Sequence, residues 1–400
     1  MKYVILVPDG MAGLPIEELG GRTCMEAADI PNMDTIARRG VVGTVMNVPK
    51  GMTPASDVAN LSILGYDPAK YYCGRGSLEA ANLGIELDEN SVAFRFNTVT
   101  VSDGKMIDYS AGHISTKETL VLVDLLNRKI GSEKFRFYAG CSYRNLLVVT
   151  CASSEEADRL KKIACCPPHN ILDQSIEKHL PKDKELADIM ERSRKVLEET
   201  DVNKVRVDLG QNPANMIWLW GQGKKPSIPT FKDEFGITGG MISAVDLLKG
   251  MGKILGLEVV DVPGATGYYD TNYEGKAVAA LDVLKRNDMV FIHVEAPDEA
   301  GHNGDIRAKI TAIENLDSKI AGPIIKELTD KCDFRVLVLP DHPTPVKLRT
   351  HTADPVPFAI AGKGIDADDV VVFTENSAKA GSMKIRHGHE LMKFFLGKRK

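Results

Sequence analysis

The sequence has 400 residues, of which 43% are hydrophobic and 26% charged, and its formal net charge is -5. This composition predicts a globular protein large enough for two to three domains. The slight acidic excess disfavours nucleic acid and anionic membranes as partners. No apolar stretch reaches the roughly 18 residues that cross a bilayer, so we expect no transmembrane helix.

The seven cysteines form no CxxC pair. An odd number of cysteines without that spacing indicates reduced thiols, rather than a disulfide framework or a zinc knuckle. The N-terminal apolar run that ends at Pro8 is too short for a signal peptide and predicts a first strand. We therefore expect a cytoplasmic protein, and these patterns leave the oligomeric state open.

Nearly continuous apolar runs predict strands of a parallel sheet that is covered on both faces. They alternate with helical patterns, which indicates a doubly wound α/β core. The strand runs are Val4 to Val7, Met289 to Val294 and Val336 to Leu339, and the helical stretches are Leu186 to Glu199, Gly275 to Lys285 and Ile306 to Leu328.

The middle of the chain has a different pattern, in which strand-like pieces alternate more strongly between polar and apolar residues. Val92 to Val101, Phe135 to Ala139 and Asn145 to Thr150 predict strands, separated by helical pieces around Lys117 to Arg128 and Glu155 to Ile163. We predict an inserted α+β domain over residues 91–179, within a core formed by residues 1–90 and 180–400.

Asp298 and His302 follow a predicted strand and lie four residues apart. On one helical turn this spacing places both side chains on one face, where they can bind one metal ion. The alternative for this pair alone is a helix-capping aspartate beside a surface histidine.

Asp341 and His342 also follow a predicted strand, and His351 comes nine residues after His342. Adjacent side chains at a strand end point apart, so they either serve one ion through a turn or face two neighbouring ions. The alternative is an ordinary polar turn, because Asp, His and Pro are common turn residues.

Ser56 lies where a proline-bearing loop leads into a helical pattern, at the position expected for the helix N-cap. The functional alternative uses the same place, because a hydroxyl beside a divalent metal is easier to deprotonate and the amides of a helix N-terminus bind phosphate. Asp9, at the end of the first strand, would join it, since the carboxyl ends of strands meet at one edge of an open sheet.

Taken together, these residues predict a centre that binds two metal ions. Carboxylate and hydroxyl oxygens suit magnesium or manganese, and imidazoles suit manganese or zinc. With a single serine nucleophile among them, the set predicts phosphoryl transfer by in-line displacement.

The order of the motifs Val-Pro-Asp9-Gly, Thr-Pro-Ala-Ser56-Asp-Val-Ala-Asn, Glu-Ala-Pro-Asp298-Glu-Ala-Gly-His302, Asp341-His342-Pro-Thr-Pro and Thr-His351-Thr-Ala-Asp resembles the alkaline phosphatase superfamily. Within it, the chain is most similar to the archaeal-type, cofactor-independent phosphoglycerate mutases, over essentially its whole length. The resemblance implies an alkaline-phosphatase-like core with an inserted domain.

The same resemblance implies a mechanism and a set of ligands. Ser56 would take the phosphoryl group from 3-phosphoglycerate and return it to the other hydroxyl of glycerate, without a bisphosphoglycerate primer. Two divalent ions, of manganese, magnesium or zinc, would be held by Asp9, Ser56, Asp341 and His342 on one side and by Asp298, His302 and His351 on the other.

A phosphorylated carboxylate also needs cations, and arginine suits both of its ends through its bidentate fork. The candidates for contacting such a substrate are Arg144, Arg95, His113, His169, Arg75 and Lys249. The alternative for each is a surface charge or a structural ion pair.

One segment departs from the mutases, because residues 212–223 carry Trp218 and Trp220 where those proteins tend to carry arginines. Fewer arginines would weaken recognition of a doubly anionic substrate. A homoserine kinase, which has been proposed for a similar subgroup, or another phosphotransferase or phosphohydrolase of the superfamily is therefore the alternative function.

Overall fold

The computed structural model describes residues 1–329 and 331–398, which divide into two compact units. The larger unit comprises residues 1–72 and 228–400, and the smaller unit comprises residues 73–227, which interrupt it in sequence. No helix among the described residues is long and apolar enough to span a membrane. The cytoplasmic location stays a prediction.

The larger unit is built on an eight-stranded sheet in the order β13-β2-β12-β11-β1-β10-β8-β9. β1 pairs in parallel with both β10 and β11, whereas β12 runs antiparallel to its neighbours β11 and β2. The strands are β1 Lys2–Pro8, β2 Gly40–Val45, β8 Gly239–Ile242, β9 Glu258–Val260, β10 Met289–Val294, β11 Phe334–Val338, β12 Val356–Gly362 and β13 Met383–Ile385.

Helices of the larger unit connect these strands. They are α1 Cys24–Ala27, α2 Pro31–Arg38, α3 Ser56–Ile63, α4 Pro68–Tyr71, α10 Phe231–Phe235, α11 Asp246–Ile254, α12 Tyr273–Arg286, α13 Ala296–Asn303, α14 Ile306–Leu316, α15 Gly322–Thr329, α16 Glu375–Ala380 and α17 Leu391–Phe395. The 3₁₀ turns are Glu17–Leu19 and Gly388–Glu390.

The central strands carry the core of the larger unit. Residues 4–7 of β1 and all of β10 are buried, because helices cover both faces of the sheet. The continuous apolar runs therefore identified these strands correctly, and the predicted α/β core is confirmed.

The predicted helix from Ile306 to Leu328 is not one continuous α-helix. A π-helical turn over Asp317–Ala321 separates α14 from α15. At this turn the buried carboxylate of Asp317 accepts hydrogen bonds from the backbone amides of Met33 (2.7 Å) and Asn32 (3.2 Å), at the N-terminus of α2. The turn thus coincides with an inter-helix cap, which apolar periodicity does not reveal.

The smaller unit has a five-stranded antiparallel sheet in which β3 pairs with β4, β6 and β7, and β5 pairs with β6. Its strands are β3 Ser91–Ser102, β4 Lys105–Asp108, β5 Phe135–Cys141, β6 Arg144–Thr150 and β7 Met216–Lys224. Its helices are α5 Arg75–Asn82, α6 Thr116–Ile130, α7 Ser154–Lys161, α8 Lys184–Leu197 and α9 Asp201–Asp208, with 3₁₀ turns at Pro168–Ile171 and Glu177–His179.

The smaller unit extends beyond the predicted insertion of residues 91–179 at both ends. α5 packs on β3 and β7, and α8 packs on β7, so residues on both sides of the predicted range share its core. Both tryptophans of the segment 212–223 lie in β7, where Trp218 is fully buried and Trp220 is nearly so.

Candidate metal centre

Three loops at the carboxyl ends of β1, β10 and β11 bring the predicted acids of the larger unit together. The loop after β1 turns at Gly10, which has a φ of 62° and lies so close to Asp298 that a Cβ would be 2.5 Å from its Oδ1 atom. The Gly10 amide donates to Oδ1 of Asp341 at 3.1 Å. Only glycine satisfies both this conformation and this approach.

The first group of side chains surrounds Ser56. Its Oγ lies 3.5 Å from Oδ2 of Asp9 and 3.2 Å from Nε2 of His342. That Nε2 is also 3.5 Å from Oδ2 of Asp341. Asp341 and His342 therefore converge on one point, although adjacent side chains at a strand end would point apart.

Ser56 is the first residue of α3, and the N-cap is Ala55. The prediction that Ser56 is the N-cap is wrong by one residue. The difference matters, because an N-cap hydroxyl accepts a hydrogen bond from its own helix, whereas the Ser56 hydroxyl faces the acid and the imidazole. Asn60, one turn further on, donates to the Ser56 carbonyl at 2.8 Å and to Oδ2 of Asp341 at 2.9 Å.

The second group surrounds Asp298, near the N-terminus of α13. Its Oδ2 lies 3.2 Å from Nε2 of His302, one helical turn later, and its Oδ1 lies 3.4 Å from Nε2 of His351. The spacing of Asp298 and His302 thus places both side chains on one face, as the sequence predicted. The ring of His351 stacks on that of His342 with centroids 3.9 Å apart, so the two groups are adjacent.

Burial makes this cluster of charges costly unless a cation is present. It raises the pKa of Asp9 well above its ordinary value, and the negative charges of Asp341 and Asp298 raise that pKa further. Burial also opposes ionisation of Asp298, but hydrogen bonds with His302 and His351 hold its pKa well below the ordinary value. The bond to Asp298 raises the pKa of His302 to about 9.

Sequence reasoning missed four residues that touch this cluster. Thr344 donates to Oδ1 of Asp298, and Asn60 donates to Oδ2 of Asp341. The buried ammonium of Lys309 donates to the carbonyls of Gly10 and Thr344, both at 2.7 Å. His293 lies in β10 with Nε2 2.9 Å from Oδ2 of Asp9. Its signal was a single histidine inside an apolar strand.

The residues present fit a divalent metal ion. Two sets could hold one: Asp9, His293 and Asp341, and Asp298, His342 and His351, each with donor atoms within 4.8 Å of one another. Within the described residues, Oδ1 of Asp9 and Nε2 of His293 are buried and make no hydrogen bond. Buried nitrogen and oxygen atoms that make no hydrogen bond and converge on one space are what a metal site provides.

The candidate substrate residues lie mostly in the smaller unit, where three of them surround Trp220. The guanidinium of Arg95 lies 4.7 Å from the Trp220 ring and that of Arg75 lies 5.5 Å from it. The His169 ring is 5.4 Å away, edge to face. Arg95 is buried and forms an ion pair with Glu79 at 3.0 Å. Burial lowers the pKa of His169, and the two arginine charges lower it further.

Arg144 and His113 both lie beside Tyr143. The guanidinium of Arg144 is 5.4 Å from its ring, and the His113 ring is 6.0 Å from it. His113 has a φ of 52°, a left-handed conformation that is uncommon for residues other than glycine. Bonds from the Ser110 and Gly112 amides to the Asp108 carboxylate, both at 2.7 Å, hold this turn.

Lys249 belongs to the larger unit, on α11. Its ammonium group forms an ion pair with Asp261 at 2.5 Å. The larger unit therefore carries the acids, Ser56 and Lys249, and the smaller unit carries the other candidate cations.

The sequence has close relatives with known names. Residues 37–203 match the family described as 2,3-bisphosphoglycerate-independent phosphoglycerate mutase. A protein of that name from Methanothrix thermoacetophila is 52% identical over 400 residues, which cover 99% of this chain and 100% of the relative. The chain belongs to this family. A second mutase, from Methanosarcina acetivorans, is 52% identical over 98% of both chains.

Solved structures agree with this family assignment. The cofactor-independent phosphoglycerate mutase from Thermoplasma acidophilum has a TM-score of 0.67 at 29% identity, over 99% of both chains. A protein from Pyrococcus horikoshii has a TM-score of 0.82 at 30% identity, over 100% of this chain and 98% of that one. The predicted resemblance to the mutases is confirmed, and the names of the relatives support the mutase prediction rather than the kinase alternative.

Proposed function

We propose that this protein is a phosphoglycerate mutase that interconverts 3-phosphoglycerate and 2-phosphoglycerate through a phosphoserine at Ser56, at a binuclear metal centre and without bisphosphoglycerate. The observation that carries the proposal is the position of the Ser56 hydroxyl, within 3.5 Å of both Asp9 and His342. The full-length relatives that bear the mutase name give independent support.

The metal ligands are proposed in two groups. Asp9, Ser56, Asp341 and His342 would hold one ion, and Asp298, His302 and His351 the other. Bound divalent ions would lower the pKa of the serine hydroxyl and offset the charge on the transferring phosphoryl group. His342 lies where the two groups meet, because its Nε2 faces Ser56 and Asp341 while it also shares a donor set with Asp298 and His351. Its stacking on His351 supports two adjacent ions.

The chain itself orients the nucleophile. Asn60 joins the first turn of α3 to Asp341, which fixes the Ser56 backbone relative to the acids. The first amides of a helix have no acceptor within their own helix, so the N-terminus of α3 can also bind the phosphoryl oxygens of phospho-Ser56. Lys309 holds the loops that carry Asp9 and His342 through their backbone carbonyls.

Cationic side chains would bind the two anionic ends of the substrate. Arg75, Arg144, His113 and His169 are the candidates in the smaller unit, together with Arg95, whose charge is already balanced by Glu79. Lys249 is the candidate in the larger unit. Glycerate must reorient without leaving, and exclusion of water during that step keeps the phosphoserine from being hydrolysed.

The central test is turnover of 3-phosphoglycerate by the manganese-loaded protein, measured with enolase coupling and without added bisphosphoglycerate. Ser56→Ala should abolish turnover, and chelation should do the same. Ser62→Ala is the matched control, because Ser62 is a buried serine on the same helix. Turnover that survives Ser56→Ala would overturn the mechanism.

Two further assays separate the mutase from its alternatives. The kinase alternative requires that homoserine and ATP yield phosphohomoserine, and we expect none. A phosphohydrolase would release inorganic phosphate from 3-phosphoglycerate at the rate of substrate loss, whereas a mutase should release almost none. ³²P-labelled substrate should label wild-type protein at Ser56 and leave Ser56→Ala unlabelled.

A further inference from the structure

His293 is a fully buried histidine in an otherwise apolar strand. It is the fifth of the six residues of β10, whose other members are Met, Val, Phe, Ile and Val. Burying an imidazole costs free energy unless both ring nitrogens find partners. Nδ1 and Nε2 of His293 therefore each need a partner.

The Nδ1 side of the ring has a partner. The Ser243 hydroxyl lies 3.4 Å from Nδ1 and accepts a hydrogen bond from the Val245 amide at 3.0 Å, so it is itself anchored. A histidine that ligates a metal usually has its second nitrogen oriented in this way by a neighbouring group. The anchored hydroxyl thus directs Nε2 away from Ser243.

The Nε2 side lacks a hydrogen bond among the residues that the structure describes. Oδ2 of Asp9 is only 2.9 Å away, yet the two atoms are not aligned for one. Oδ1 of the same carboxylate is equally without a partner. A core histidine that merely paired with Asp9 would satisfy both residues at this distance.

Asp341 completes the arrangement. Asp9, His293 and Asp341 are all buried, and each offers a donor atom within 4.8 Å of the other two. Two buried carboxylates repel one another unless a cation lies between them, and an imidazole nitrogen is a common ligand beside carboxylates at such a cation.

We infer that His293 is a ligand of the ion held by Asp9 and Asp341. This inference rests on the metal centre of the proposed function and adds a nitrogen donor to it. A nitrogen donor shifts the metal preference of that site from magnesium towards manganese or zinc, because imidazole is a softer ligand than a carboxylate oxygen.

The test is calorimetric titration of chelated protein with Mn²⁺, comparing wild type with His293→Leu and His293→Glu. Leucine is apolar and cannot ligate, whereas glutamate can. His293→Leu should weaken Mn²⁺ binding at one of the two sites by at least about 100-fold. Removing a residue that only orients a metal ligand already lowers metal affinity by about 10–100-fold, and the loss of a ligand itself should cost more. His293→Glu should retain most of the affinity.

If His293 were only a structural residue, His293→Leu should bind Mn²⁺ more tightly than His293→Glu, because leucine preserves the packing of the core better than a buried carboxylate does. Circular dichroism of each metal-free variant checks that it is folded. Pulsed EPR of bound Mn²⁺ should show fewer coupled nitrogens in both variants than in wild type, whereas Ser243→Ala, which keeps the imidazole, should keep the wild-type number.

The outcomes separate the two proposals. If wild type binds two Mn²⁺ ions and both His293 variants bind them with unchanged affinity, His293 is not a ligand and the proposed function stands. Equal nitrogen counts in wild type and His293→Leu would overturn the inference in the same way. If wild type binds no Mn²⁺, the proposed metal centre fails, and the assignment of His293 fails with it.

Discussion

Lys276 lies on α12 with its side chain fully buried, and its ammonium donates to the carbonyl of His293 at 2.8 Å. Burial lowers the pKa of this lysine to about 8, although the nearby charge of Glu295 partly opposes that shift. The ordinary value, which applies to the unfolded chain, is 10.5. Between these two values the folded chain binds fewer protons at Lys276 than the unfolded chain does.

Stability rises with pH wherever the unfolded state binds more protons, so Lys276 makes the protein more stable as the pH rises from about 8 to about 10.5. Each pKa unit corresponds to about 1.4 kcal/mol, which gives a total of about 3 kcal/mol, of which about 2 kcal/mol falls between pH 7 and 9.5.

Lys276→Met removes the titrating group, so the variant should lose this rise. The free energy of unfolding is measured in urea at pH 7 and pH 9.5 for both proteins. Between these pH values, the change in that free energy should be about 2 kcal/mol more favourable to folding in wild type than in the variant. The comparison is needed because Cys151 and Cys165, whose pKa values burial raises to about 11 and 12, oppose the rise in both proteins.

Lys285→Met is the matched control, since it removes an exposed lysine from the same helix. The difference in free energy of unfolding between Lys285→Met and wild type should be the same at both pH values. If Lys276→Met keeps the pH dependence of the wild type, the buried ammonium titrates alike in the folded and unfolded chains and does not make this contribution to stability.

Three further changes test single contacts by urea unfolding. Lys309→Met leaves the buried carbonyls of Gly10 and Thr344 without their donor and should lower the free energy of unfolding by about 2–5 kcal/mol. The exposed control Lys326→Met should lower it by less than about 0.5 kcal/mol. Similar losses in both variants would contradict the anchoring role of Lys309. Glu79→Ala leaves the Arg95 guanidinium buried without its ion pair and should cost about 3 kcal/mol; a loss below about 1 would show that water or another group replaces the carboxylate. Asp317→Ala removes the cap of α2 and should cost about 1–2 kcal/mol, and an unchanged unfolding midpoint would exclude that role.

The acids of the site could be located from the sequence because each follows an apolar run. Asp9 follows β1 and Asp341 comes three residues after β11, and the carboxyl ends of parallel strands meet at one edge of a sheet. Asp298 and His302 follow β10, and their helical spacing was a second indication. In each case a short local pattern determines the position of the side chain.

Other features depend on contacts that a local pattern does not contain. Nothing in the alternation of residues 73–90 shows that α5 packs on β3 and β7, so the smaller unit was predicted too short. His293 shares its strand with apolar residues, and its closeness to Asp9 and Asp341, which follow other strands, is not visible in that pattern. The exact first residue of α3 depends on backbone angles at Ala55 that its side chain does not set.

The position of β1 has a consequence for how the protein is made. This strand is paired on both sides by segments that follow it by more than 280 residues, since Val4 faces Val290 on one side and Val336 on the other. During synthesis one edge of β1 stays unpaired until β10 has left the ribosome and the other edge until β11 has, and such delayed pairing exposes a nascent chain to aggregation. The residues of the candidate site, Asp9 after β1 and Asp341 after β11, can therefore come together only after most of the chain has been synthesised.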